Sequence, residues 1–350
     1  MSKVIHVTDA FNGGVFEVIL ELVRKFPEHD YLILYRSHSW DPISDRNKFF
    51  MQQVRMIEWE KSYLKKYFQL RAIIKSEKPD LVHLHSTLAG IIGRLIPQSK
   101  NFSLYSPHAF AFQKLDIPFL LRAILFKIEQ ILQYRTMFNV AFWPIEVTLF
   151  KKLAPKAVTV YAPVMIEKFF GKPHKSGNIS NQKDPNVSLK VASIGRLAPQ
   201  KDPEFFLKIV ANLKVKLTVE AFWYGDGSHF SLKKLNDMQI TKSGWLESKT
   251  IFNQISQMGC VAVFTSKWES GPITLFEALS TGVPVVCRSI DAFACYGLGD
   301  GSTPEDLSKR IIEIHSNGDL SLIARDQQRT VENNLPKSET EKLGSIYNFF

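Results

Sequence analysis

Short runs of apolar residues alternate along this chain with longer segments in which apolar residues recur at helical spacing. Such alternation is typical of α/β proteins with parallel sheets, in which each buried strand is followed by a covering helix. In the first half the pattern predicts helices at 14–25 and at 62–75, where Ser62 is a suitable N-cap. It predicts six strands there: 4–8, 31–35, 54–59, 81–85, 102–105 and 139–142.

The second half repeats the scheme, and a polar segment separates the two halves. The predicted elements are strands 189–194, 217–223, 261–265 and 283–287, and helices 203–213, 272–279 and 304–315. Residues 171–188 are rich in Gly, Pro, Ser and Asn, which indicates a linker or a surface loop. We therefore expect two doubly wound domains, 1–165 and 166–335, facing each other across a cleft at the carboxyl ends of their strands. A helix within 336–350 is expected to return to the first domain.

The composition narrows the class of protein. With 45% hydrophobic and 22% charged residues, the chain of 350 residues is an ordinary globular protein. The N-terminus runs straight into a strand-like segment, and no apolar run is long enough to span a bilayer, so we expect neither a signal peptide nor a transmembrane helix. Three cysteines without a CxxC pair suit reduced thiols and a cytoplasmic location.

The net charge of +10 is unevenly distributed. Residues 1–160 contain 22 Lys and Arg against 14 Asp and Glu, whereas residues 161–350 contain 22 against 20. A basic first half favours an anionic partner such as phosphate, lipid head groups or nucleic acid, although solubility alone explains it as well. Because no motif of a known DNA- or RNA-binding module is present, we do not expect nucleic acid as the partner.

Two glycines, Gly13 and Gly14, follow Asn12 after the first predicted strand and open a helix. Adjacent glycines let backbone N–H groups approach an oxyanion at a helix N-terminus. A tight turn between strand and helix explains the same residues, and both interpretations stay open. A complete GxGxxG sequence is lacking, so a nicotinamide cofactor is poorly supported.

His108 follows the fifth predicted strand and should lie at the carboxyl edge of the sheet. A histidine there can donate a hydrogen bond to a sugar hydroxyl or a phosphate, or transfer a proton. His83 and His85 lie two residues apart on the preceding strand, hence on one face, and we interpret them as core or supporting residues. Metal-ligand spacing and an Asp-x-Asp pair are both lacking, so the sequence predicts no metal site.

Two cations, Arg196 and Lys201, follow the predicted strand 189–194, within a segment that ends at a proline suited to a helix start. Two fixed cations can neutralise a diphosphate leaving group without a metal. Solvated surface charges are the ordinary interpretation, but a position directly after a buried strand favours a function.

The segment 269–277 (ESGPITLFE) is the most informative, because a predicted strand leads into it and a helix follows, ending at Gly282. Glu269 then lies in the loop before the helix and Glu277 within it, so the two carboxylates can hold two hydroxyl-bearing parts of one ligand. The helix N-terminus between them suits a phosphate. The residues that form this N-terminus are Gly271, Pro272, Ile273 and Thr274.

Taken in order, these motifs resemble the retaining GT-B glycosyltransferases, specifically the large family four, also called group 1. The resemblance extends over most of the chain, and the combination is highly specific. The segments that carry it are the Gly-Gly turn, 78–85 (KPDLVHLH), 106–108 (SPH), 195–203 (GRLAPQKDP), 224–227 (YGDG), the E-x7-E element 269–277 and 278–286 (ALSTGVPVV).

The resemblance implies a fold, a reaction and a set of roles. In the GT-B fold, an N-terminal Rossmann-like domain binds the acceptor and a C-terminal one binds the donor. A sugar would pass from a nucleotide-diphosphate donor to a glycan or lipid-linked acceptor, without metal or cofactor, by front-face attack that retains configuration. The implied contacts are the transferred sugar for His108 and Glu269, the ribose for Glu277, the diphosphate for Arg196 and Lys201, and the donor phosphate or the acceptor for Gly13 and Gly14. The chain departs from the commoner Glu-Gly-Phe-Gly by having Pro272, which lacks an N–H and removes one backbone contact to the donor.

Residues 116–135 are strongly apolar with interspersed Arg and Lys. In enzymes of this family the region often lies on the membrane, which implies contact with anionic lipid at its inner face; a helix that covers the core explains the segment as well. Trp59, Tyr63, Lys65, Lys66 and Tyr67 form a second basic-aromatic cluster, within 59–67, which a solvated helix face explains as well. Two alternative functions stay open, a sugar-nucleotide epimerase of the same fold and a non-catalytic nucleotide-sugar-binding protein.

Overall fold

The structure is a computed structural model that describes residues 1–9, 13–36, 54–170, 188–227, 230 and 232–349. The chain forms two compact units, one of Met1–Met165 with Pro336–Phe350 and the other of Ile166–Leu335. The predicted linker, 171–188, lies outside the described residues except for Ser188. None of the helices that the structure describes combines the length and the apolarity needed to cross a bilayer.

The first unit is built on seven parallel strands with helices on both faces. The strands are β1 (Lys3–Thr8), β2 (Asp30–Tyr35), β3 (Arg55–Glu58), β4 (Leu81–His85), β5 (Ser103–Ser106), β6 (Phe138–Ala141) and β7 (Thr159–Tyr161). Their order is β3-β2-β1-β4-β5-β6-β7, so the sheet reverses its winding between β1 and β4. The helices in this part are α1 (Gly14–Lys25), α2 (Tyr63–Glu77), α3 (Thr87–Arg94), α4 (Phe119–Leu132) and α5 (Pro144–Leu153). In doubly wound sheets ligands bind outside the carboxyl ends of the strands, near such a reversal.

Each face of this sheet buries its own cluster of apolar side chains. Helices α2, α3 and α5 contribute to one apolar cluster with alternate strand residues such as Val7 and Leu84. Helix α1 packs through Phe16 and Ile19 against Ile33 on the opposite face. Because side chains alternate along a strand, the residues between the cluster members, among them His6, point to the α1 side.

Helix α4 exposes much of its apolar surface, yet a buried ion pair fixes it to the unit. Phe119 and Leu120 are 80% and 71% exposed. The fully buried Arg94 of α3 donates from Nη2 to Glu129 Oε2 at 2.8 Å, and Tyr105 donates its hydroxyl to Glu129 Oε1 at 2.7 Å. A role in covering the core therefore accounts for the buried side of this helix but not for its exposed apolar side chains.

The second unit has five parallel strands, again with helices on both faces. The strands are β8 (Leu189–Ile194), β9 (Val219–Tyr224), β10 (Ile240–Gly244), β11 (Val261–Phe264) and β12 (Val285–Cys287), in the order β10-β9-β8-β11-β12. The helices from here on are α6 (Val164–Phe170), α7 (Pro203–Lys214), α8 (Leu232–Asp237), α9 (Ser248–Gln257), α10 (Ile273–Ser280), α11 (Asp291–Ala294), α12 (Pro304–Asn317) and α13 (Leu320–Asn334). The reversal falls between β8 and β11, which places the ends of these two strands side by side.

The last helix, α14 (Thr340–Asn348), packs on the first unit. Ser2 donates its hydroxyl to the carbonyl of Tyr347 at 2.6 Å, and the Tyr347 hydroxyl lies 2.8 Å from His83 Nδ1. Glu339 accepts a hydrogen bond from the backbone N–H of Tyr161 at 3.1 Å. The end of the chain thus covers the His6 side of the sheet.

The predicted α/β class is confirmed, and most predicted elements exist within one to three residues of their predicted bounds. Two short strands, β7 and β10, and several helices, among them α3, α5, α9 and α13, were not predicted. Strand β10 has the sequence ITKSG, with only one strongly apolar residue, and therefore lacks the pattern of a buried strand.

Candidate active site

In the second unit, two loops run side by side directly after β8 and β9. The backbone N–H of Gly195 donates to Tyr224 O at 2.8 Å, and that of Leu197 donates to Asp226 O at 2.9 Å. Gly225 has φ +136°, and a Cβ there would stand 2.2 Å from the carbonyl oxygen of Gly195. Only glycine permits this approach, which fixes the path of the loop that carries Arg196.

Lys201 and Glu269, in the loops that follow the neighbouring strands β8 and β11, form an ion pair. The Lys201 ammonium lies 2.6 Å from Glu269 Oε1, and the hydroxyl of Ser266 donates to the same oxygen at 2.8 Å. Both side chains are largely buried. Because both contacts fall on Oε1, the other oxygen, Oε2, makes no hydrogen bond within the part of the chain that the structure describes. The carboxylate is thus held in place with one oxygen still available.

A second ionic contact fixes the start of α7 beside this pair. Asp202 has the left-handed φ of +47° and accepts from Arg288 Nη1 at 2.8 Å. The Arg288 guanidinium also stacks on Phe205, 4.2 Å from the ring centroid. Pro203 occupies the first turn of the helix, as the sequence predicts. This arrangement holds the backbone on which Lys201 sits.

Helix α10 begins one residue later than predicted, with Pro272 at the N-cap. The backbone N–H groups of Ile273 and Thr274 therefore stand at its N-terminus, where no intrahelical acceptor is available to them. Glu277 is partly buried in the second turn. The helix ends as predicted, because Gly282 adopts φ +78° and Val283 donates to Ala278 O at 2.9 Å.

In the first unit, His108 is the last ring of a chain of three imidazoles. His6 Nδ1 lies 2.9 Å from His85 Nε2, and His85 Nδ1 lies 2.8 Å from His108 Nε2. His6 and His85 are completely buried, whereas His108 is partly exposed. Sequence reasoning did not select His6, although the pairing of β1 with β4 places it opposite His83.

The loop that carries His108 is conformationally restricted. His108 and Ala109 have φ of +51° and +91°, in the left-handed region that side chains disfavour. The Ala109 N–H donates to Glu146 Oε1 at 3.3 Å, and the Ala111 N–H donates to the Thr87 hydroxyl at 3.0 Å. The ring of His108 stacks on Phe142, with 5.2 Å between centroids. These contacts hold a strained backbone that fixes the position of the imidazole.

Burial keeps this group of histidines neutral. Desolvation lowers the pKa of His6 and of His108 to about 3. Desolvation, together with the charges that neighbouring histidines would carry, lowers the pKa of His83 and of His85 well below 6.5. Near neutral pH each ring therefore carries one N–H and one lone pair.

One group within the described residues could hold a metal ion, namely His6, His83 and His85, whose ligating nitrogens lie within 4.8 Å of one another. However, His83 and His85 use both of their ring nitrogens in hydrogen bonds, and His6 uses its Nδ1. The group contains no carboxylate or thiolate to offset the charge of a cation. A hydrogen-bonded network describes these residues better than a metal centre.

Gly13 and Gly14 form the start of α1, as the sequence predicts. Gly13 is the N-cap with φ +81°, and a Cβ there would meet no atom within 4 Å. Glycine is therefore required by the backbone conformation and not by crowding. The preceding Asn12 lies outside the described residues.

The ends of β1, β2 and β3 gather a charged group that the sequence did not indicate. Lys66 is fully buried and pairs with Asp9, while Arg36 Nη1 lies 3.9 Å from the same carboxylate. The Lys66 ammonium lies 4.5 Å from the ring centroid of Trp59. The interpretation of 59–67 as a solvated helix face is therefore wrong for Lys66 and Trp59.

The candidate residues fall into two groups, one in each unit. Gly13, Gly14 and His108 belong to the first unit; the others, between Arg196 and Glu277, belong to the second.

Comparison with known proteins points to one family. A family model described as "Glycosyl transferases group 1" matches residues 188–317, and one described as "Glycosyl transferase 4-like" matches residues 10–135. An uncharacterised 41.2 kDa protein in the cps region of Klebsiella pneumoniae is 25% identical over 297 residues, covering 82% of this chain and 81% of the relative. An Escherichia coli UDP-Gal:alpha-D-GlcNAc-diphosphoundecaprenol alpha-1,3-galactosyltransferase is 28% identical over 318 residues, covering 81% and 78%.

Solved structures agree in fold over nearly the whole chain. Sucrose-phosphate synthase from Thermosynechococcus elongatus superposes with a TM-score of 0.72 at 14% identity, covering 99% of this chain and 98% of that chain. The Anabaena protein HepE, in complex with UDP-glucose, gives 0.68 at 14% identity, covering 100% and 99%. The fold is therefore GT-B, as the resemblance of the motifs implied.

Proposed function

Because the chain belongs to the group 1 glycosyltransferases, we propose that it transfers a hexose from a nucleoside-diphosphate donor to a glycan or lipid-linked acceptor. The proposed reaction retains the anomeric configuration and needs no metal. The observation that carries the proposal is the Lys201–Glu269 pair in the loops that follow β8 and β11; Glu269 is also close in sequence to the N-terminus of α10.

The charges of this site suit a sugar diphosphate. An ammonium group has three N–H donors, so Lys201 keeps two for phosphate oxygens while one is held by Glu269. Arg196, exposed in the loop after β8, supplies a second cation, and the N–H groups of Ile273 and Thr274 supply donors at a helix N-terminus. Glu269 Oε2 is available to accept a hydrogen bond from a sugar hydroxyl. Glu277 is proposed to accept hydrogen bonds from the ribose.

The cations also account for the proposed chemistry. As the bond between the sugar and the diphosphate breaks, negative charge develops on the leaving group and positive charge on the sugar. Arg196 and Lys201 stabilise the former and the carboxylate of Glu269 stabilises the latter, in positions set before the reaction begins. Acceptor attack on the same face as the departing diphosphate then gives retention without a nucleophile from the enzyme.

The relatives suggest which substrates to test first. The E. coli relative is named for transfer from UDP-Gal to a sugar on diphosphoundecaprenol, and HepE was crystallised with UDP-glucose. We therefore propose a UDP-hexose as donor, a polyprenyl-diphosphate-linked sugar as acceptor and a role in surface polysaccharide synthesis. A lipid-linked acceptor places the reaction at the cytoplasmic face of a membrane, where the exposed apolar face of α4 can contact lipid.

The purified protein should be incubated with a panel of nucleotide sugars and a short-chain polyprenyl-diphosphate acceptor, with and without EDTA. We expect UDP-glucose or UDP-galactose to yield a product whose new linkage keeps the α configuration of the donor, as read by the anomeric proton coupling. The rate should be unchanged by EDTA. An inverted linkage, strict dependence on a divalent ion, or epimerised donor without transfer would each contradict the proposal.

A further inference from the structure

We propose that His6 and His85 are positioning residues that fix the tautomer of His108, so that His108 offers an Nδ1–H donor to substrate and does not act as a base. The chemistry of the ring follows from this chain's own hydrogen bonds. Only the identity of the oxygen that receives the bond rests on the proposed function.

The geometry restricts the network to two arrangements. With neutral rings, each contact in the chain needs one N–H and one lone pair, and each ring has only one of each. If His6 donates from Nδ1, then His85 must accept at Nε2 and donate from Nδ1, and His108 accepts at Nε2. If His6 accepts at Nδ1, every direction reverses and the proton of His108 lies on Nε2.

The environment of His6, the buried end of the row of three imidazoles, decides between the two arrangements. His6 Nε2 is completely buried and has no hydrogen-bond partner in the described part of the chain. In the first arrangement this atom is a lone pair, and in the second it is an N–H. Buried N–H groups without an acceptor are rarer than incompletely satisfied acceptors, so the first arrangement is favoured. The rings of Tyr31 and His83 pack against His6, each with its centroid 5.5 Å away, and His6 is completely buried.

The consequence of this arrangement is seen at His108, the partly exposed end of the row of imidazoles. His108 Nε2 is occupied by His85, and the Nδ1–H is left to donate. The left-handed backbone at His108 and the stacking on Phe142 hold that donor in one direction. A group so arranged stabilises a substrate oxygen that gains negative charge. It has no lone pair with which to remove a proton from the acceptor.

His83 provides a matched control. It lies on the same strand as His85 and is equally buried, but it hydrogen-bonds to Tyr347 and Ser106 and not to His108. Replacing His83 with Leu removes a buried imidazole and two hydrogen bonds but leaves the hydrogen bonds from His6 through His85 to His108 intact. Replacing His85 with Leu also removes a buried imidazole and two hydrogen bonds, and it interrupts that series.

The test is long-range ¹H–¹⁵N NMR of the full-length protein with ¹⁵N-labelled histidine, which reports the tautomer of each ring without substrate. We expect His6, His85 and His108 all to carry the proton on Nδ1. In His85→Leu, His108 should shift toward the Nε2–H form that free imidazole side chains prefer, whereas His83→Leu should leave it unchanged. An Nε2–H form of His108 in the unaltered protein overturns the inference, even if His85→Leu does not fold.

Kinetics give a second measurement. His85→Leu should lower kcat at least tenfold with little change in KM for the donor, and should have no further effect when His108 is already Ala. Additive losses in the double variant would contradict a role through His108. The correct tautomers without transfer from any donor would reject the proposed function and leave the tautomer assignment intact.

Discussion

Lys201 and Glu269 show how much of the proposed donor site depends on single side chains. Each neutralises the other in a largely buried place, and Ser266 completes the contact. The sequence predicted each as a separate ligand contact and did not predict their ion pair. Residues 68 positions apart meet because β8 and β11 are neighbours in the sheet, and the pattern of the sequence contains no distance between side chains.

We expect Arg196→Ala and Lys201→Ala each to slow transfer at least tenfold, a loss of about 1.4 kcal/mol, because each removes a cation from the leaving diphosphate. Lys201→Ala should also lower the melting temperature, since Glu269 loses its buried counter-charge. Steady-state kinetics, UDP titration and melting curves measure these effects. Lys208→Ala, which removes an exposed lysine of α7, is the control. Unchanged kinetics in both active-site variants would reject the assignment.

Glu269→Gln and Glu277→Gln should have different effects. Glu269 is proposed to face the sugar, where positive charge develops, so loss of its charge should mainly lower kcat. Glu277 is proposed to bind the ribose, away from the breaking bond, so its loss should mainly raise KM for the donor. Both changes preserve shape. The reverse pattern would require the opposite placement of the donor, and loss of stability alone in both variants would make the two carboxylates structural.

Among the polar residues at the strand ends of the first unit, some were predictable from the sequence and others were not. His108 could be selected because it follows a predicted strand. His83 and His85 could be selected because they lie two residues apart on a predicted strand and so share one face. His6 had the same signal, since parallel pairing of the first and fourth strands in a doubly wound sheet places it opposite His83. Asp9 and Lys66 had none, because an ion pair between residues 57 positions apart depends on loop geometry.

Among the elements, those with strong local signals were predicted well. Gly282 ends α10 in the left-handed conformation, and Pro203 and Pro304 lie in the first turns of their helices. The elements that were not predicted are short, or have a pattern of buried residues that is set by the neighbouring elements and not by the local sequence. Helix α3 (TLAGIIGR) reads as a continuous apolar run, and only its packing against Leu84 and Tyr105 explains why it contains Gly90 and Gly93.

The buried ion pair of α3 and α4 provides a test at this scale. Glu129→Leu should lower the free energy of unfolding by about 3–5 kcal/mol, because Arg94 is left charged and buried without its carboxylate partner. The double variant Arg94→Met/Glu129→Leu should recover most of that loss. Hydrogen exchange of the α4 amides measures both. Equal exchange in the single variant and the unaltered protein would mean that α4 is held by its apolar contacts alone.

At the scale of the whole molecule, charge and apolar exposure coincide in the first unit. Its residues up to 160 carry most of the net positive charge. Helices α2 and α4 lie on the same face of the sheet, since Leu70 of α2 and Leu125 of α4 pack on one cluster. Both helices also expose large apolar side chains, and these are Tyr63, Leu64, Phe68, Phe119, Leu120, Leu121, Ile124 and Ile131. An apolar surface with basic surroundings is the chemistry that binds an anionic bilayer.

We therefore expect the protein to co-sediment with phosphatidylglycerol vesicles, and less with phosphatidylcholine vesicles, with binding weakened by salt. Phe119→Ser together with Leu120→Ser should reduce binding at least tenfold, because each side chain contributes about 1.5–3 kcal/mol when fully buried in an apolar phase. Val215→Ser, which removes an 84%-exposed apolar residue of the second unit, is the control and should bind normally. Equal binding by all three proteins, or none to anionic vesicles, would show that the exposed face of α4 does not contact lipid.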